Sequence, residues 1–165
     1  MISNGVLDAA AALLDACRTR RWRLATAEGC TGGLIAATLT AIAGAYDVVD
    51  RGFVTNSNNA KQQVLGVPDA TLAEHGAISE PVAHAMAQGA LARSRADLAI
   101  AVTGVAGPGG GSLDKPVGLV CFGLAQSGKP LHSERVVFPG DRIAIRQAAV
   151  AHALALLRAR TVAAA

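Results

Sequence analysis

The stretch Arg23-Leu24-Ala25-Thr26-Ala27-Glu28-Gly29-Cys30-Thr31-Gly32-Gly33-Leu34-Ile35 decides the fold. Arg23 to Ala27 reads as a short buried strand and Cys30 to Gly33 as a tight turn, with Leu34, Ile35, Leu39 and Ile42 forming the apolar face of a helix. A strand, a glycine turn and a helix in immediate succession are the building unit of an α/β protein. Upstream, Val6, Leu7, Ala10, Leu13, Leu14 and Cys17 recur at helical spacing behind a Ser3/Asn4 start, which predicts an amphipathic first helix. The basic cluster Arg18-Thr19-Arg20-Arg21-Trp22-Arg23 falls where that helix should end, well placed against its dipole. Without an aromatic platform or a recognised nucleic-acid motif, the cluster reads as a solvated helix turn, and no nucleic-acid partner is expected.

Downstream, Val48 to Thr55 reads as a second strand, and Ser57-Asn58 as the cap of a short helix carrying Lys61. Pro68 to Ile78 is a connection containing a helical turn. A helix capped by Ser79, with Pro81 in its first turn, should run from Glu80 to about Arg95. Asp97 to Thr103 is a continuous apolar strand. Val117 to Ala125 and Ser133 to Phe138 are strands joined by the turn Ser127-Gly128-Lys129-Pro130. Asp141 caps a last helix to about Arg160, after which Thr161 to Ala165 should fray. The expectation is one domain over residues 1–165, a three-layer α/β/α sandwich around a mixed sheet.

Composition agrees: of 165 residues, 52% are hydrophobic, 16% charged and only 3% aromatic, so close packing of small aliphatic side chains must build the core. The apolar runs Asp8–Cys17 and Leu34–Ala45 fall short of the roughly 20 apolar residues of a membrane span. Met1-Ile2-Ser3-Asn4-Gly5 lacks a basic segment and an apolar core, so a cytoplasmic location is expected. Cys17, Cys30 and Cys121 are odd in number and far apart, which points to reduced thiols. His75, His84, His132 and His152 share no i,i+4 spacing, so neither a metal nor another cofactor is expected.

Four segments carry candidate chemistry. The turn Glu28-Gly29-Cys30-Thr31-Gly32-Gly33 opens a helix, and unpaired backbone N–H groups of Gly32, Gly33 and Leu34 would receive a phosphate or an oxyanion, unless this is a plain strand-to-helix connection. Thr103-Gly104-Val105-Ala106-Gly107-Pro108-Gly109-Gly110-Gly111-Ser112 holds five glycines in nine positions from Gly104, so its backbone can approach a ligand closely, although a bland loop would read the same. It is neither a Walker sequence nor a dinucleotide fingerprint. In Gly140-Asp141-Arg142 a cation occupies a helix's first turn, against the dipole unless an anion binds there; the alternative is a solvated Arg142 paired with Asp141. In Asn56-Ser57-Asn58-Asn59-Ala60-Lys61, Lys61 would act as a general base if buried, but by itself it reads more simply as a surface lysine.

Taken together, Thr26-Ala27-Glu28, Cys30-Thr31-Gly32-Gly33, Asp50-Arg51-Gly52-Phe53-Val54-Thr55, Thr103 to Ser112, Lys115-Pro116-Val117-Gly118 and Gly140-Asp141-Arg142 resemble the nicotinamide-nucleotide amidohydrolase family, the CinA C-terminal domain. The resemblance implies hydrolysis of the carboxamide of nicotinamide mononucleotide to nicotinate mononucleotide and ammonia, by a homodimer. It also implies a catalytic set of Lys61 as base, with Tyr46 where the family carries a nucleophilic serine and Asn56 where it carries a helper tyrosine. Gly29 stands where the family usually has serine, and Asn59 at an acidic position. The implied substrate-binding set is Glu28, Gly29, Cys30, Thr31, Gly32, Gly33, Thr103, Gly104, Ala106, Gly107, Gly109 and Arg142. A phenol is a poor nucleophile with an ordinary pKa of about 10. Three readings therefore stay open: an amidohydrolase using Ser57, Thr31, Cys30 or water, an amidase for another amide with Tyr46 and Asn56 lining its pocket, or a silent nucleotide-binding module.

Overall fold

The computed structural model describes residues 2–163. In chain order its elements are α1 (Asn4–Arg20), β1 (Leu24–Glu28), α2 (Leu34–Thr40), a 3-10 turn (Ala45–Asp47), β2 (Val49–Val54), α3 (Asn58–Leu65), α4 (Asp69–His75), α5 (Glu80–Ala92), β3 (Leu98–Gly104), β4 (Leu119–Gln126), β5 (His132–Val137) and α6 (Arg142–Ala163). The five strands form one mixed sheet in the order β2-β1-β3-β4-β5. β1 runs parallel to both neighbours, Thr26 standing opposite Gly52 and Ile100, whereas β3-β4 and β4-β5 are antiparallel.

The two faces of the sheet are built from different side chains. Along β3, Leu98, Ile100 and Val102 join Leu13, Leu14, Ile35, Phe122, Ile145 and Leu157 in the core beneath α1, α2 and α6. The alternate residues Ala99 and Ala101 face the other way, with Ala25 and Ala27, toward Leu65, Val82 and Met86 of α3 and α5. This period-two alternation sorts large side chains to one layer and small ones to the other. On the alanine side α5 comes so close that a Cβ on Gly123 of β4 would stand 2.2 Å from the Ala83 carbonyl oxygen. The domain is thus a single α/β/α sandwich, and each large aliphatic chain taken into the core contributes about 1.5–3 kcal/mol.

Local signals place most boundaries. The hydroxyls of Ser3, Ser57 and Ser79 accept from the backbone N–H of Val6, Ala60 and Val82, so all three N-caps form as expected. Asp141 caps α6 through the N–H of Ala144 at 2.9 Å. α1 ends at Arg20, with Arg21 left-handed beyond it. Two expectations are corrected. The helical turn expected within Pro68–Ile78 forms as α4, but α5 ends at Ala92 and not near Arg95. The last helix continues to Ala163, because Thr161 is buried and its carbonyl accepts from Arg20 of α1 at 2.7 Å; Ala164 and Ala165 lie outside the described residues.

Candidate active site

The glycine turn after β1 is held by Glu28. Gly32 and Gly33 take φ of 56° and 96°, left-handed values that turn the chain into α2 without Cβ strain. Fully buried, Glu28 points its carboxylate at the helix start. Oε1 accepts from the Thr31 hydroxyl (2.7 Å) and the Ile35 N–H (2.9 Å); Oε2 accepts from the Thr26 hydroxyl (3.1 Å) and the Ala36 N–H (3.0 Å). This corrects the expectation of an open anion site: Gly32 N–H donates to Gly29 O and Leu34 N–H to Thr31 O. The start of α2 already has an internal anion, so Glu28 and Thr31 position the turn instead of presenting charge to a ligand.

Beside this turn, at the C-terminal ends of β1 and β3 where ligands of open α/β sheets bind, lies a cavity of about 270 Å³. Gly29 and Cys30 come to it from the turn, and Asn56 and Lys61 from the start of α3. Thr103, Gly104, Ala106, Gly107 and Gly109 come from β3 and the glycine-dense loop, and Arg142 from α6. Ten of the residues expected at the site therefore converge, although they are scattered along the sequence. Ala77 and Ile78, from the connection before α5, also line it. Nothing in their residue type signalled this; Ala77 is brought in by its carbonyl, which accepts from the Thr103 hydroxyl at 2.9 Å. Glu28, Thr31, Gly32 and Gly33 support the wall from behind and do not line the cavity.

Lys61 is 3% exposed, not the solvated lysine that its neighbours in sequence suggest. Its Nζ donates to the carbonyls of Thr55 (3.0 Å) and Asn56 (3.5 Å), and no carboxylate is among its bonded partners. Burial holds its ammonium below the ordinary lysine value, against a smaller opposing effect of Cys30. The same burial pushes the Cys30 thiol up to about 11. Arg142 is not paired with Asp141; its Nη1 donates to Gly107 O at 2.8 Å, tying α6 to the glycine loop. One turn further, Arg146 donates to the carbonyls of Cys30 (2.9 Å) and Thr31 (3.3 Å).

Tyr46 does not join this group. It sits on the 3-10 turn, 85% exposed, and is not among the residues lining the cavity. A phenol filling the pocket, as its alignment with the family's serine suggests, is therefore not what this fold displays. The reason is local: in the 3-10 turn Ala45 faces inward, 5% exposed, and its neighbour is turned out to solvent.

A family profile for the CinA C-terminal domain matches residues 7–161. The chain belongs to the CinA C-terminal domain family. The nicotinamide-nucleotide amidohydrolase PncC of Escherichia coli K12 is 50% identical to it, over 87% of each chain. A putative competence-damage inducible protein of Symbiobacterium thermophilum is 52% identical over 84% of this chain, which spans 34% of that protein's length. The CinA-like protein of Syntrophobacter fumaroxidans, 52% identical over 85% of this chain, is likewise spanned to 33%. The crystal structure of the competence/damage inducible protein CihA from Agrobacterium tumefaciens superposes with a TM-score of 0.94 at 45% identity, over 96% of this chain and 97% of that one. Among the described residues of this CinA C-terminal domain, no group of three His, Cys, Asp or Glu side chains is arranged to hold a metal ion, and no helix is long and apolar enough to cross a membrane.

Proposed function

We propose that this CinA C-terminal domain hydrolyses the carboxamide of nicotinamide mononucleotide, or a close analogue, to carboxylate and ammonia, with Lys61 as the proton acceptor. The observation that carries the reading is a buried lysine with no carboxylate partner, its pKa depressed, lining the same cavity as Arg142. A base must shed its proton near neutral pH, and desolvation favours the neutral amine. Arg142 and the Gly104–Gly109 backbone supply a cation and close main-chain approach for a phosphate. Asn56, which lines the cavity with Lys61, offers an amide to the substrate's own carboxamide. The similarity to PncC supports the choice of substrate.

The same reading has the protein working in the cytoplasm as a homodimer on a free nucleotide, without nucleic acid or membrane; sedimentation of the purified chain tests the dimer. Ammonia release from nicotinamide mononucleotide tests the activity. It is expected from the parent and abolished in Lys61→Ala. Nucleotide binding without any ammonia would refute the reading in favour of a silent binding module.

A further inference from the structure

The amidohydrolase reading leaves open which atom attacks the amide. The hydroxyls around the cavity are engaged, and that of Thr55, which has no partner among the described residues, is fully buried and does not line the cavity. Thr31 donates to Glu28 and lies behind the wall, Thr103 donates to Ala77 O, and exposed Ser57 caps α3. Tyr46 stands in solvent away from the cavity. The Cys30 thiol, raised to about 11, holds little thiolate near neutral pH.

Gly29 resolves this. A Cβ at that residue would stand 3.2 Å from Val102 O and 3.9 Å from Lys61 Nζ. With no side chain at Gly29, the space outside its Cα is left for a water, standing further out than a Cβ would, and Val102 O and Lys61 Nζ are the polar atoms nearest to that space. Val102 O accepts one bond, from Gly29 N–H at 2.8 Å, and keeps a second lone pair. A neutral Lys61 has two N–H bonds, which its contacts to Thr55 O and Asn56 O use, leaving its lone pair for a third direction. A water beside Gly29 thus has a carbonyl to orient it and an amine to take its proton.

We propose that Gly29 gives the attacking water its place, between Val102 O and the Lys61 amine, so that this chain hydrolyses its amide by direct water attack with no covalent intermediate. This rests on the amidohydrolase reading. Lys61 takes one proton from water as the oxygen bonds to the carboxamide carbon and the C=O π pair moves onto oxygen. The tetrahedral adduct then collapses: the carbonyl re-forms, the C–N bond breaks, and the departing nitrogen takes the proton from the Lys61 ammonium. The products are a carboxylic acid and ammonia, and Lys61 is neutral again.

Gly29→Ala tests this cleanly. Gly29 is not left-handed, and its nearest neighbour need give only a few tenths of an ångström, so the variant keeps its fold while its methyl fills the water's volume. The expected result is a fall in kcat of about 100-fold or more, the scale of losing general-base catalysis, with affinity for nicotinamide mononucleotide changed less than about 3-fold. Rapid-quench mass spectrometry of the parent during turnover should show no acyl adduct. A crystal structure of the parent should show a water bonded to both Val102 O and Lys61 Nζ. An undiminished rate in Gly29→Ala, an acyl adduct, or no such water overturns the inference and leaves the amidohydrolase reading standing. A parent that releases no ammonia overturns both.

Discussion

Replacing Glu28 by Gln keeps shape and volume and changes only what two atoms can accept. Each carboxylate oxygen now serves one hydroxyl and one backbone N–H: Thr31 and Ile35 at Oε1, Thr26 and Ala36 at Oε2. Whichever way the amide is turned, its NH2 faces one hydroxyl and one N–H. The hydroxyl can rotate to accept, but the backbone N–H is left without a partner. A buried unpaired donor costs about 1–3 kcal/mol, and removing an anion from a helix start adds up to ~1–2 kcal/mol. Relief of carboxylate desolvation works in the opposite direction, but four donors already solvate the anion in place. The net expectation is a loss of about 3 kcal/mol, or ~6–12 °C in Tm for a chain of this size. Urea unfolding followed by circular dichroism measures it, with m unchanged. A loss below about 1 kcal/mol would mean that Glu28 is not the anchor of the turn.

Gly89→Ala offers an isolated helix about 0.5–1 kcal/mol, but in α5 the new Cβ would sit 1.9 Å from Leu65 O; a net destabilisation above about 2 kcal/mol is expected, and thermal unfolding that shows a gain refutes the packing argument. Arg142→Ala should weaken nicotinamide mononucleotide binding about 10-fold by calorimetry while sparing the phosphate-free riboside, since the lost group is a cation for the phosphate. Burial depresses the Lys61 pKa below 10.5, so between the two values the unfolded chain holds a proton that the folded chain lacks, and stability rises with pH across that window. The stability difference between Lys61→Met and the parent should therefore move in the variant's favour from high pH toward neutral; a pH-independent difference in urea titrations would refute the buried-charge assignment.

What the sequence revealed was mostly short-range. Ser3, Ser57, Ser79 and Asp141 act within three residues of themselves, so their caps are visible in the chain. The apolar runs of β1, β3 and β4 are buried along their length, and burial needs only hydrophobicity to be recognised. Failures arose where a distant partner decides. Lys61 looks solvated until the fold buries it beside Gly29 and Cys30, and Arg142 looks paired with Asp141 until the glycine loop offers the Gly107 carbonyl. Ala77 and Ile78 carry no chemistry to betray their place in the cavity. Glu28 is a subtler case: a charged residue ending a strand suggests a ligand contact, whereas its four bonds all turn inward.

Arg142 and Arg146 stand one helical turn apart on the same face of α6, and each grips a different wall of the cavity: the glycine loop at Gly107 and the β1 turn at Cys30 and Thr31. Four residues of helix advance about 6 Å, so the gap between the walls is gauged by the pitch of α6. The helix acts as a spacer bar clamped at both ends, and the walls travel together whenever it moves. Inserting a single residue between the two arginines would swing one of them about 100° around the helix and release its wall, widening the mouth without touching any group that performs chemistry.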